Sequence, residues 1–211
     1  MRITRRQEAA TAVYEPRTDV LRVLTVCTGN ICRSPVAARL LTVGLATRLP
    51  PGEATRVRVT SAGTSAVVGA PIDHLAEHTL VARGVPIVPH KGHQLNESDL
   101  INADLILAMT PSHARQCIRL NPECAPRVHT LRGAGMLLTG QRAAGPSATD
   151  VVARGRAVVN HLASQKAAIP VSADLEVADP VGLPLEAFER TATVIVAALA
   201  PLVEILAPAG R

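Results

Sequence analysis

Residues 20–35 read Val20-Leu21-Arg22-Val23-Leu24-Thr25-Val26, then Cys27-Thr28-Gly29-Asn30-Ile31-Cys32-Arg33-Ser34-Pro35. The first seven form a short apolar run rich in β-branched residues, the pattern of a strand buried on both faces. The run stops at a cysteine, Gly29 and Asn30 allow a tight turn, and Ser34-Pro35 reads as an N-cap followed by proline at the first helical position. Val36 to Thr47 continues as an amphipathic helix. A buried strand, a turn and a helix start within sixteen residues concentrate unpaired backbone N–H groups at one point, and the helix dipole adds partial positive charge there. Such a place suits a tetrahedral oxyanion. Arg33 can add charge-assisted, bidentate hydrogen bonds. The same field favours the thiolate of Cys27, a nucleophile set beside a phosphate cradle.

Outward from this stretch the chain alternates. Arg56–Thr60, Leu105–Met109 and Val128–Leu131 read as further strands. Asp73 caps a helix that ends near Gly84, Asn96 opens a short one, and Pro111 to Leu120 is helical in pattern. Strands alternating with helices imply a parallel α/β sheet with helices on both faces. Residues 133–178 break the rhythm with Gly133, Gly135, Gly140, Gly145 and Pro146, then an apolar-periodic stretch from Ala148 to Ala163. This reads as one extra helix between loops, opened by a capping box at Ser147–Asp150. A last helix runs from about Leu185 to Leu206, with a kink expected at Pro201. Residues 1–19 have no periodicity and read as an N-terminal extension. Residues 20–211 then form one domain with an insertion at about 133–178.

Composition narrows the function. The chain has 211 residues, 47% of them hydrophobic and 1% aromatic, and its rings are Tyr14 and Phe188 alone. The core is therefore aliphatic, and modules that stack nucleic-acid bases on rings are excluded. The net charge of +5 comes from two segments, since residues 1–22 carry +2 and residues 132–170 carry +4, which leaves −1 for the rest. Neither segment is a dense basic run, so no nucleic-acid partner is expected. The start of the chain lacks the apolar core of an export signal, and Val194–Leu206 is too short and interrupted to span a bilayer. Four cysteines are too few for a disulfide framework, and a cytoplasmic, membrane-free setting is expected.

A phosphate monoester needs a proton donor for its departing oxygen. Asp179-Pro180, in a stiff loop before the last helix, offers that carboxyl, which would then activate water against a cysteinyl-phosphate. This chemistry requires no metal or cofactor. His113, Cys117 and Cys124, and His74 with His78, resemble metal spacings only loosely. Gly133-Ala134-Gly135 lacks the third glycine of a dinucleotide loop, because Leu138 stands there.

These residues resemble the low-molecular-weight protein tyrosine phosphatases. Cys27–Pro35 is similar to that family's phosphate loop and Ser61-Ala62-Gly63-Thr64 to its second signature. Asp179-Pro180 with Leu185–Glu189 is similar to its acid loop and following helix. The resemblance covers about residues 20–132 and 175–207. It implies a four-stranded parallel sheet flanked by helices on both faces. It implies Cys27 as nucleophile and Asp179 as general acid, with Thr28, Gly29, Asn30, Ile31, Cys32, Arg33 and Ser34 around the phosphate. Ser34 would also stabilise the thiolate, and Asn30, Ser61 and His90 would join it in a network holding the loop's turn. Cys32 would be the redox partner of Cys27. Two departures stand out. Val181 follows the Asp-Pro pair and Val67-Val68 follows the second signature, where the family usually supplies rings. Members that prefer phosphoarginine commonly carry threonine at the place of Ile31, so the resemblance implies a different substrate.

The expected function is a phosphomonoester hydrolase, a protein-tyrosine phosphatase acting on phosphoprotein or another monoester. Two alternatives stay open. Thioredoxin-coupled arsenate reductases share this fold and loop, with Cys117 where one relay cysteine is expected and Thr110 where the other should be. A non-catalytic phosphate-binding module would need neither nucleophile nor acid. The sequence leaves the oligomeric state open.

Overall fold

The computed structural model describes residues 19–140, 150–166, 169 and 174–208. The N-terminal extension up to residue 18, with Tyr14, and parts of the insertion lie outside the described residues. Four parallel strands, β1 (Leu21–Cys27), β2 (Val57–Gly63), β3 (Leu105–Ala108) and β4 (Val128–Thr130), form one sheet in the order β2-β1-β3-β4. Cys27 pairs with Gly63, and Val26 with Ala108, so the carboxyl ends of the three strands finish level.

Strand alternation divides the core. Leu21, Val23, Leu105 and Leu107 face the layer built by α1 (Arg33–Ala46), α3 (His74–Val81), α6 (Leu131–Leu138), α7 (Val151–Gln165) and α8 (Leu185–Leu206). Leu24, Val26, Ile106 and Val128 face the other side, where Leu100 of α4 (Glu97–Asn102) and Cys117 of α5 (Pro111–Leu120) pack with Cys124. A four-residue helix, α2 (Pro51–Ala54), precedes β2. β3 is buried at every position, as a central parallel strand covered on both faces must be. Each aliphatic side chain taken fully out of water contributes about 1.5–3 kcal/mol, which suffices without rings. Phe188 is buried among them.

Three local readings change. Ser34 is not the N-cap of α1: the helix starts at Arg33 with Cys32 in the cap position, and the Ser34 side chain is turned to the cysteine instead. Asp150 caps α7 by itself, its Oδ1 accepting from the N–H of Ala153 at 2.9 Å, while Ser147 lies outside the described residues. The glycines at 133 and 135, read as loop, sit in helix α6. A Cβ at Gly135 would lie 2.6 Å from the Ala198 carbonyl oxygen, so the glycine is there to let α6 and α8 touch backbone to backbone. The helix expected within 148–163 is α7. It joins the core through Val151, Val158 and Leu162, and Arg154 ties it to the Leu206 carbonyl (2.8 Å) and to Glu53 (2.5 Å). The last helix continues through Pro201 to Leu206.

The strand order puts β2 on one side of β1 and β3 on the other. The chain therefore leaves β1 and β3 in opposite directions, and a crevice opens between the loops that follow them. Doubly wound sheets bind ligands at this place.

Candidate active site

The loop from Cys27 to Arg33 fills that crevice, and its carbonyls define its shape. The carbonyl of Cys27 accepts from the N–H of Thr64 (2.9 Å), Thr28 from Ser65 (3.0 Å), Gly29 from Val67 (3.0 Å) and Ile31 from Asp73 (2.7 Å). The Asn30 carbonyl faces Nε2 of His90 at 2.6 Å, and Cys32 accepts from Val36 at 3.0 Å. Six successive carbonyls are thus held outward. In a trans peptide the N–H points opposite the C=O, so the loop's N–H groups converge inward at the start of α1. The N–H groups so turned are those of Thr28, Gly29, Asn30, Ile31, Cys32 and Arg33, a concave arrangement of the kind that suits an anion, with Ser34 following in the first turn of α1.

The turn is held at its most strained point. Asn30 has φ 53°, the left-handed region that a non-glycine residue enters at a cost. Its side-chain amide donates to Ser34 Oγ (3.0 Å) and Ser61 Oγ (2.9 Å), and its Oδ1 accepts the N–H of His93 (2.8 Å). Ser34 Oγ lies 2.9 Å from Cys27 Sγ. The structure therefore brings together Asn30, Ser34, Ser61 and His90 around the turn, with Ser34 linking it to the thiol, and adds the His93 backbone. Gly63 permits the close pass: a Cβ there would lie 2.4 Å from the Thr28 carbonyl oxygen.

Arg33 is buried, yet one of its nitrogens stays available. Nη1 donates to the Val177 carbonyl (3.3 Å), and Nη2 to Asp179 and to Thr28 Oγ1 (3.4 Å). Nε is buried with no hydrogen-bond partner among the described residues. Asp179 is half exposed, and its other oxygen accepts the N–H of Val181 (3.3 Å). Its loop is registered on the fold at three points. The N–H of Val177 donates to the Met109 carbonyl (2.8 Å), Thr191 donates to the Ala178 carbonyl (3.4 Å), and Arg132 grips Asp174 and the Glu176 carbonyl (3.1 Å). Arg33, in the loop that starts at Cys27, thereby meets Asp179 from 146 positions away.

Three contributors were not assigned to the site from the sequence: Thr110 and His113, considered there only for a relay cysteine and a loose metal spacing, and Arg132. His113 is buried in the first turn of α5, with Nε2 2.9 Å from Thr28 Oγ1 and Nδ1 3.0 Å from Thr110 Oγ1. Both ring nitrogens are engaged. Burial, and then the Arg33 charge, push its pKa down to about 4. The only sequence signal was Thr110-Pro111, which caps a helix directly after β3.

The mouth is aliphatic. Val67 is 50% exposed, Val68 71% and Val181 50%. Val67 lies against the loop, with a methyl 3.8 Å from where a Gly29 Cβ would stand. Cys32 is a free, buried thiol whose pKa is pushed up, first by burial and then by Asp179 and Asp73. Cys117, pushed up to about 12 chiefly by burial, and Cys124 pack in the other core layer, across the sheet from Cys27 and Cys32. Among the described residues no helix is long and apolar enough to cross a membrane.

Fold and site define a class: a doubly wound α/β protein whose loop after β1, at the switch point of its sheet, holds a buried cysteine beneath inward N–H groups. The chain belongs to the low molecular weight phosphotyrosine protein phosphatase family, whose sequence profile matches residues 22–135. Low molecular weight protein-tyrosine phosphatase A of Mycobacterium tuberculosis (strain H37Rv) is 44% identical over 115 residues, 54% of this chain and 67% of that one. Low molecular weight protein-tyrosine-phosphatase Etp of Escherichia coli K12 is 42% identical over 101 residues, 48% of this chain and 62% of its own length. The chain thus spans under two thirds of Etp. The solved structure of the YwlE arginine phosphatase from Geobacillus stearothermophilus superposes with a TM-score of 0.62 at 27% identity, covering 87% of this chain and 91% of that one.

Proposed function

We propose that the protein is a cysteine-dependent phosphomonoesterase whose substrate class is phosphotyrosyl protein. The observation that carries this reading is the set of outward carbonyls, which turns the loop's N–H groups inward beside the buried Cys27 thiol, with the Arg33 guanidinium at the end of the same loop. In the first step the Cys27 thiolate attacks phosphorus and the P–O ester bond breaks. Asp179 gives its proton to the leaving oxygen, and Arg33 with the loop N–H groups holds the equatorial oxygens. In the second step water attacks the cysteinyl-phosphate, Asp179 takes its proton, the S–P bond breaks, and phosphate leaves with the thiolate restored. Ser34 Oγ supports that thiolate from 2.9 Å. Cys32 is the nearest thiol in sequence for a disulfide when peroxide oxidises Cys27.

p-Nitrophenyl phosphate is the test substrate. The purified chain hydrolyses it without added metal, and Cys27→Ser abolishes turnover; full activity in that variant rejects the mechanism. Asp179→Asn slows phosphoenzyme formation most for substrates with poor leaving groups, by about 10²–10⁴-fold, the span of a general acid. Ranking kcat/KM for phosphotyrosine, phosphoserine, phosphoarginine and sugar phosphates fixes the substrate, and the aliphatic mouth forgoes the ring stacking worth about 0.5–1.5 kcal/mol.

A further inference from the structure

We propose that His113 is a positioning residue of the phosphate site: it clamps the Thr28 hydroxyl, and that hydroxyl fixes how Arg33 presents its guanidinium to a bound phosphate. The inference rests on the phosphate-binding reading of the loop and adds a residue to it. The chain of contacts is short. Thr110 Oγ1 and the His113 ring are 3.0 Å apart, the ring and Thr28 Oγ1 2.9 Å, and Arg33 Nη2 donates to that hydroxyl at 3.4 Å. The Thr110 hydroxyl also accepts the His113 backbone N–H at 3.3 Å, so the ring is held from the helix cap that carries it.

Arg33 needs this support because of what Asp179 does. In the structure Nη2 has two side-chain partners, Asp179 and Thr28. Asp179 must turn to the leaving oxygen during the reaction. Of the two, only Thr28 then keeps Nη2 in place, while Nη1 stays on the Val177 carbonyl. An exposed threonine hydroxyl would otherwise rotate freely among its rotamers; the His113 ring, 5% exposed, holds it in one. A neutral ring offers one donor and one acceptor nitrogen, which serves the two threonines in either tautomer. Burial and the Arg33 charge keep the ring neutral at neutral pH, while Asp179 acts weakly in the opposite sense. The Thr28 backbone is held separately, through its carbonyl to Ser65, so the hydroxyl can be removed without releasing the loop.

The experiment uses the full chain with inorganic phosphate as ligand, measured by titration calorimetry, for wild type, His113→Ala, His113→Gln, Thr28→Val and the double variant Thr28→Val/His113→Ala. The two single truncations each weaken phosphate binding about tenfold, the scale of one hydrogen bond acting on a charged group. The double variant is no weaker than the worse single one, because both changes cut the same chain. His113→Gln, which again offers a donor and an acceptor, binds within about threefold of wild type. Wild-type affinity in His113→Ala overturns the inference. So does a double variant whose losses multiply, which would mark His113 as a packing residue of α5. Arg33→Ala separates the two levels: if it binds phosphate as wild type does, the phosphate-site reading itself fails and the inference falls with it. If Arg33→Ala loses binding and His113→Ala does not, only the inference is lost.

Discussion

At the scale of single residues, the site depends on two positions where the backbone is pressed hardest. Asn30 enters the left-handed region at φ 53° and is compensated by four hydrogen bonds, from its carbonyl and both ends of its amide. Gly63 is the complementary case, since its missing side chain leaves room for the loop to cross β2. The atom that a Cβ would strike is the Thr28 carbonyl oxygen at 2.4 Å, a backbone atom that cannot swing aside. Gly63→Ala therefore displaces the loop and breaks the bonds that Thr64 and Ser65 donate to it. We expect a loss of about 1–3 kcal/mol in stability and of about 10²-fold or more in kcat/KM, since a misplacement near 1 Å carries that cost. A urea titration and p-nitrophenyl phosphate kinetics on the same preparation measure both. Unchanged kinetics would mean that the loop does not need this crossing.

At the scale of elements, the acid loop is a segment with little structure of its own, fixed by its neighbours. Met109, just after β3, holds it, with α8 at Thr191, α1 through Arg33 and α6 through Arg132. Arg132 meets Asp174 as a largely exposed pair, and the pairing with its guanidinium draws the Asp174 pKa down. Solvent screens so exposed a pair and leaves it a small effect, so Arg132→Ala lowers kcat for poor leaving groups by about two- to fivefold and leaves phosphate affinity alone. A uniform loss across all leaving groups would place the effect elsewhere than in the acid loop. The helices and strands differ in how well the sequence announces them. β1, the loop and α1 were legible because every constraint lies within sixteen consecutive residues: apolar run, turn residues, Ser-Pro. α6 was not, since Gly133 and Gly135 lower helix propensity and only the contact with α8 shows why they belong there. Thr28 and His113 are 85 positions apart and meet only because β1 and β3 are neighbours, and Arg132 reaches Asp174 across 42. Pairings set by strand order leave no periodic trace in a single sequence.

At the scale of the whole molecule, the aliphatic core is close-packed, and among the described residues it buries one phenyl ring, Phe188, and two imidazoles. His113 lies beside the phosphate loop, and His129 lies in β4, its Nε2 3.2 Å from the Pro126 carbonyl. Burial lowers each pKa from 6.5 to about 4, assisted at His113 by Arg33 and at His129 by Lys166, whose ammonium donates to the Val128 carbonyl at 3.0 Å. The consequence for stability follows from proton binding. Between pH 6.5 and about 4 the unfolded chain takes up protons on both rings and the folded chain does not. Stability is therefore complete above pH 6.5 and falls as the pH drops toward 4, with a slope of up to about 1.4 kcal/mol per pH unit for each ring. The lowered carboxylates Asp150 and Asp174 act in a different window. Their stabilising bonds persist above their ordinary value of 3.8 and are lost only below it, so the two effects separate on the pH axis. Urea midpoints measured from pH 7.5 to 4.5 should fall steadily below pH 6.5, and His129→Gln should remove about half of the slope without touching the phosphate site. A flat profile over that range would mean that the two rings protonate in the folded protein as readily as in water, and that the aliphatic core is wetter than its packing implies.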